Sequence, residues 1–146
     1  MTGRHVLNGS CHCGRLSLRF ETAIAPADYH PRACDCSFCV KHDAAYVSDP
    51  QGALAFRVKG EDALSRYRQG SGAVECLICR DCGVYVGAIF EDAGRTIGTV
   101  NARCIDGDVA FGERRTVSPQ QLDQDEKVGR WQEIWTPVSG VEITGA

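Results

Sequence analysis

The 146-residue chain has no long apolar run, no excess of positive charge, no internal repeat and no low-complexity tract. With nothing approaching twenty successive apolar residues, a membrane-spanning helix is excluded. The opening Met1-Thr2-Gly3-Arg4-His5-Val6-Leu7-Asn8 is not followed by an apolar stretch of export-signal length, so a cytoplasmic setting with reduced thiols is expected. Sixteen Lys and Arg stand against nineteen Asp and Glu, a net charge of -3. A phosphate backbone demands a clustered basic surface, so nucleic-acid binding is not expected. Hydrophobic residues at 43% and charged residues at 24% speak against wholesale disorder. The length buries one core and leaves no room for a second enzymatic domain, so residues 1–146 read as a single domain.

What the chain does have is cysteine, nine in all. An odd number cannot close as disulfides within a monomer, and reduced clustered thiols read first as metal ligands or reactive groups. Seven fall into three groups: Cys11-His12-Cys13-Gly14, Cys34-Asp35-Cys36-Ser37-Phe38-Cys39, and Cys79-Arg80-Asp81-Cys82-Gly83. Zinc holds thiolates tetrahedrally at about 2.3 Å, which sets neighbouring sulfurs about 3.8 Å apart. A Cys-x-x-Cys turn brings two sulfurs that close, and a following Gly accepts a backbone angle that a Cβ resists. Cys-x-Cys on an extended segment points both side chains to one face.

Two sites of different character are therefore expected. Cys11, Cys13, Cys79 and Cys82 would form a four-thiolate structural site, tying the N-terminal strand to the middle of the chain. Cys34, Cys36 and Cys39 would hold a second metal with one position open, as catalytic zinc requires. Spacing alone also allows the two Cys-x-Cys pairs to be exchanged. Cys76, Cys104, His12, His30 or His42 could close the second site, and Cys76 with Cys79 is an alternative pair. Four thiolates around Zn²⁺ carry net charge -2 and three carry -1. Such electron-rich zinc is a poor Lewis acid toward a carbonyl, yet it stabilises a bound thiolate. A free thiol near pKa 8.5 is only a few per cent thiolate at pH 7, so the open site suits activation of a substrate thiol.

The rest of the chain reads as all-β. In Leu16-Ser17-Leu18-Arg19-Phe20 and Leu54-Ala55-Phe56-Arg57-Val58 the apolar residues alternate, and residues 74–78, 84–90 and 96–100 are further strands between turn signals. Ser118-Pro119-Gln120-Gln121 carries capping signals for one short helix near 118–127. Residues 131–135 read as a last strand, and residues 140–146 as a fraying end.

The three cysteine groups, in this order, resemble the glutathione-dependent formaldehyde-activating enzyme family, the centromere-protein-V/GFA domain. Gly9-Ser10-Cys11-His12-Cys13-Gly14 is similar to the family's Gly-x-Cys-x-Cys-Gly. Its Cys-x-Cys-x-x-Cys follows at 34–39 and its Cys-x-x-Cys-Gly at 79–83. Tyr67-Arg68-Gln69-Gly70-Ser71-Gly72 looks like the approach to the last pair. The family-like core covers about residues 8–105, and residues 106–146 diverge. Gly98-Thr99-Val100-Asn101-Ala102 lacks the leucine and aspartate of the family's Gly-x-Leu-Asp segment, and the stretch 40–45 departs from its small and basic pattern.

The resemblance implies a tent-like all-β fold stapled by two zinc ions, with the same division of ligands. It implies a carbon–sulfur lyase-type enzyme in which a zinc-bound thiolate of a glutathione-like thiol adds to a small aldehyde such as formaldehyde. Glutathione carries two carboxylates, so basic contacts are expected from Arg32, Lys41 and His42, with Arg15, Arg66, Arg68 or Arg80 as further candidates. The alternative is a non-catalytic zinc-stapled β module that binds another protein. A redox role for Cys79 and Cys82 is disfavoured, because Gly83 leads into a strand and provides no helix N-terminus to depress a thiol pKa.

Overall fold

The computed structural model describes residues 4–69 and 72–145. Gly70 and Ser71 of the Tyr67-to-Gly72 motif, and the side chain of Gln120, lie outside the described residues. The protein is mostly β, as its alternating segments require. One wing is built from β1 (His5–Ser10), β2 (Leu16–Thr22), β5 (Ala53–Lys59) and β11 (Thr136–Thr144). The other contains β6 (Leu64–Arg68), β7 (Val74–Cys79), β8 (Tyr85–Asp92) and β9 (Arg95–Asn101). It continues through β4 (Tyr46–Val47), β3 (Arg32–Cys34) and β10 (Arg115–Val117). The last strand joins the wings: Thr136 and Pro137 pair antiparallel with β9, and from Val138 onward the strand runs parallel to β5.

Period-2 patterning decides what lies between the wings. Leu16, Leu18 and Phe20 of β2 and Leu54, Phe56 and Val58 of β5 all point inward, and they meet Leu77, Val86 and Val100 from the other wing. Each such side chain stabilises the fold by about 1.5–3 kcal/mol on burial.

Two departures from the sequence reading bear on function. Helix α1 (Ser37–His42) has no counterpart in it, being too short to show a period. It forms because Cys36 caps its start, accepting from Cys39 N, and Asp43 ends it in a left-handed conformation with φ 52°. Arg103 and Arg114 both pair with the Asp43 carboxylate, and Arg114 also donates to its carbonyl. The second helix, α2 (Gln124–Ile134), overlaps the expected 118–127 stretch and runs beyond it. Pro119–Gln121 forms a separate 3-10 turn, and the capping box belongs to Asp123 and Glu126.

The strand expected at 131–135 is corrected accordingly, since Trp131 lies within α2 and Trp135 caps its end. Lys127, Arg130, Trp131 and Ile134 recur at i, i+3, i+4 and i+7, a helical spacing. Residues 140–144 do not fray either, because they pair in register with β5 from Ala55 to Lys59.

Candidate functional site

The four-thiolate expectation can be followed turn by turn. Cys11 and Cys13 sit where β1 returns as β2, and Cys79 and Cys82 where β7 returns as β8. Gly14 and Gly83 take φ of 86° and 80°, the angles expected of the glycine after each pair. Gly14 N donates to the Cys11 carbonyl at 3.2 Å, three residues back, and Gly83 N to the Cys79 carbonyl at 2.9 Å, four residues back, so each turn closes on its first cysteine. All four sulfurs lie within 4.8 Å of one another. Cys11 Sγ is 3.7 Å from Cys13 Sγ, which is 3.5 Å from Cys79 Sγ. These separations fit the roughly 3.8 Å spacing of sulfurs around a tetrahedral ion.

The backbone prepares this quartet for positive charge. Leu16 N donates to Cys11 Sγ at 3.3 Å. Burial opposes the Cys82 thiolate, yet N–H donors from Cys13 and Val84, with the neighbouring thiols, hold it down to about 6. Burial pushes Cys11 up to about 12. Arg15 pairs with Asp81 at 2.6 Å and Asp62 at 2.9 Å, clamping the two turns from outside.

The second group closes around α1. Cys34 ends β3, Cys36 is the helix cap and Cys39 lies in the first turn. Their three sulfurs lie within 4.8 Å of one another. The Cys39 thiol hydrogen-bonds Cys34, holding Cys34 down to about 6, and the same bond with burial pushes Cys39 far up. Among the described residues no fourth His, Cys, Asp or Glu joins the trio. Cys76 is buried beside it and pushed up to about 11 by its surroundings. Cys104 is buried elsewhere, its Sγ against the Tyr85 carbonyl at 3.4 Å.

The trio faces a cavity of about 300 Å³. Tyr46, Tyr85, Cys76 and Val74 form one side of it, and Lys127, Arg130, Trp131, Ile134 and Trp135 from α2 form another. Tyr46 Oη is 3.0 Å from Cys39 Sγ and 2.8 Å from Tyr85 Oη. Burial pushes both phenols well above their ordinary values, so both keep their protons. Replacing Tyr46 by Phe removes both contacts and strips the buried Tyr85 hydroxyl of one partner. The expected cost is about 1–3 kcal/mol, read as a lower urea midpoint with an unchanged denaturant slope.

A family profile described as glutathione-dependent formaldehyde-activating enzyme (GFA) matches residues 6–135. The chain belongs to this GFA family. The match takes in both cysteine sites and the whole of α2. A crystal structure of a Rhodobacter sphaeroides protein is similar, at 27% identity and a TM-score of 0.52, over 74% of this chain and 99% of that one. No curated protein matches.

Of the basic contacts the GFA resemblance implied, Arg32 lines the cavity. Lys41 and His42 are exposed on α1 and do not line it. His42 packs its ring on Phe38 at 4.6 Å and Tyr85 at 5.4 Å. Arg15 serves the quartet's turns, and Arg66 and Arg68 pair with Glu75. Sequence reasoning missed Tyr46, Tyr85, Lys127 and Arg130. For the last two, the helical spacing with Trp131 and Ile134 was the available signal.

Proposed function

We propose that this GFA-family chain condenses a glutathione-like thiol with a small aldehyde such as formaldehyde, formally a carbon–sulfur lyase run in reverse. The observation that carries the reading is the three-thiol cluster, open on a cavity and lacking a fourth ligating side chain among the described residues. Cys11, Cys13, Cys79 and Cys82 would hold one zinc ion as a clamp. Cys34, Cys36 and Cys39 would hold the other, whose charge, once bound, favours the thiolate form of an added thiol at neutral pH.

The chain's own residues do the rest. The walls formed by Trp131, Trp135, Ile134 and Val74 displace water from around the reacting carbonyl, which strengthens every polar contact there. The substrate sulfur forms a bond to the aldehyde carbon while the carbonyl π pair moves onto oxygen. Tyr46 and Tyr85 retain their protons: with Cys39 as a thiolate, Tyr46 would donate to its sulfur and Tyr85 to Tyr46 Oη, so the pair orients that sulfur and does not act as an acid. The proton lost by the thiol ends on the new hydroxyl, giving an S-hydroxymethyl thioether. A reducing compartment, the cytoplasm, keeps both the cysteines and the thiol substrate competent.

Exchange spectroscopy of glutathione with formaldehyde tests the reading. Zinc-loaded protein is expected to raise the exchange rate above the fast uncatalysed background. No acceleration at stoichiometric zinc would reject it.

A further inference from the structure

Among the described residues, the cavity that receives the trio is lined by three basic side chains and by no Asp or Glu. Arg32 is half-buried, and its Nη2 donates to two hydroxyls, Ser48 Oγ at 2.9 Å and Thr99 Oγ1 at 3.2 Å. Arg130 and Lys127 reach the same space from α2, one helical turn apart. The ion pairs of the described residues engage other arginines: Arg15, Arg19, Arg57, Arg66, Arg68, Arg95, Arg103 and Arg114. Three cations lining one cavity repel one another, and an anion seated between them relieves that repulsion.

Position along β3 says where that anion sits. Arg32 and Cys34 are two residues apart on one strand and share a face, with their backbones about 6–7 Å apart. A ligand gripped by the guanidinium therefore has its other end at the sulfurs. The planar fork of arginine matches a carboxylate through two parallel hydrogen bonds.

We infer that Arg32, Arg130 and Lys127 form a receptor for a substrate carboxylate, seated beside the Cys34–Cys36–Cys39 trio. That the ligand is a substrate rests on the proposed condensation; the receptor itself does not. The carboxylate belongs to a compact acid whose reactive sulfur or carbonyl lies a few bonds away. Either the thiol or an aldehyde acid could bring it.

Both tryptophans of the chain line this cavity, so their fluorescence reports its occupancy without turnover. Zinc-loaded protein is titrated with S-methylglutathione, with the same peptide bearing both carboxylates as amides, and with glyoxylate. At least one of the two acids is expected to bind, with affinity falling about ten-fold or more in Arg130→Gln and in Lys127→Gln. The diamide is expected to bind weakly and with no dependence on either variant. Near-UV circular dichroism identifies any variant that fails to fold. Selective weakening of S-methylglutathione assigns the carboxylate to the thiol, and selective weakening of glyoxylate assigns it to the aldehyde. Equal binding of the diamide, unchanged affinities in both folded variants, or no binding by either acid would overturn the receptor. A protein that binds the acids yet fails the exchange assay would keep the receptor and lose the condensation.

Discussion

Replacing Cys36 by Ser is expected to abolish thiol–aldehyde condensation while leaving the fold intact. The substitution separates two roles that meet in one side chain. As the cap of α1, Cys36 accepts a hydrogen bond from Cys39 N, and serine is among the best residues for that position. As one of three clustered sulfurs, it has no substitute, because a hydroxyl stays protonated and grips zinc poorly. A thiol left at its ordinary pKa is about 3% ionised at pH 7, so losing ionisation alone costs roughly 30-fold. Losing orientation as well takes the expected fall in kcat/KM to at least about 100-fold. Steady-state exchange rates give the first number and far-UV and near-UV circular dichroism the second. Full activity in the variant would remove the trio from the chemistry.

Chelation at neutral pH is expected to collapse the near-UV circular dichroism signal, and Cys79→Ser to do the same at high zinc. The quartet joins the β1–β2 turn to the β7–β8 turn, one from each wing. Binding energies of about 10–16 kcal/mol are typical of structural zinc where binding is coupled to folding. Domains of ordinary size are stable by only about 5–15 kcal/mol, so a fold carrying this staple has little to spare without it. Cys104→Ser provides the contrast. Its sulfur is buried against the Tyr85 carbonyl at 3.4 Å, and a serine hydroxyl can donate there, so the expected loss is about 1–2 kcal/mol. Urea denaturation of the two variants side by side measures the difference. Equal losses would contradict the assignment of Cys79 to the clamp.

The parts of this architecture legible in the sequence were those with a short period or a fixed local geometry. Leu16-x-Leu18-x-Phe20 and Leu54-x-Phe56-x-Val58 show their inward faces by alternation alone, and both became strands. The cysteine turns announced themselves because Gly14 and Gly83 follow their sulfurs and take the backbone angle such turns need. Arg32 was named on account of its charge near Cys34, and it does line the cavity.

What the sequence hid was chiefly tertiary. Tyr46 and Tyr85 are 39 residues apart and meet only because β4 and β8 both pair with β9. Lys41 and His42 were named by proximity to Cys39, yet helix α1 carries them to its exposed side. The Trp131 to Trp135 segment looked like a strand because two large aromatics dominate it. The i, i+4 spacing of those tryptophans, continued backward to Lys127, was the helical signal, and it places one wall of the cavity. A closed protein-binding module would want four protein ligands at the second metal, and the described residues offer three.

Zinc content of the intact protein against Cys36→Ser, by elemental analysis after loading and desalting, tests the division of labour among the sulfurs most directly. Two ions per chain are expected in the parent and one in the variant, with the same circular dichroism spectrum for both. One ion per chain in each, with exchange activity undiminished in the variant, would contradict it.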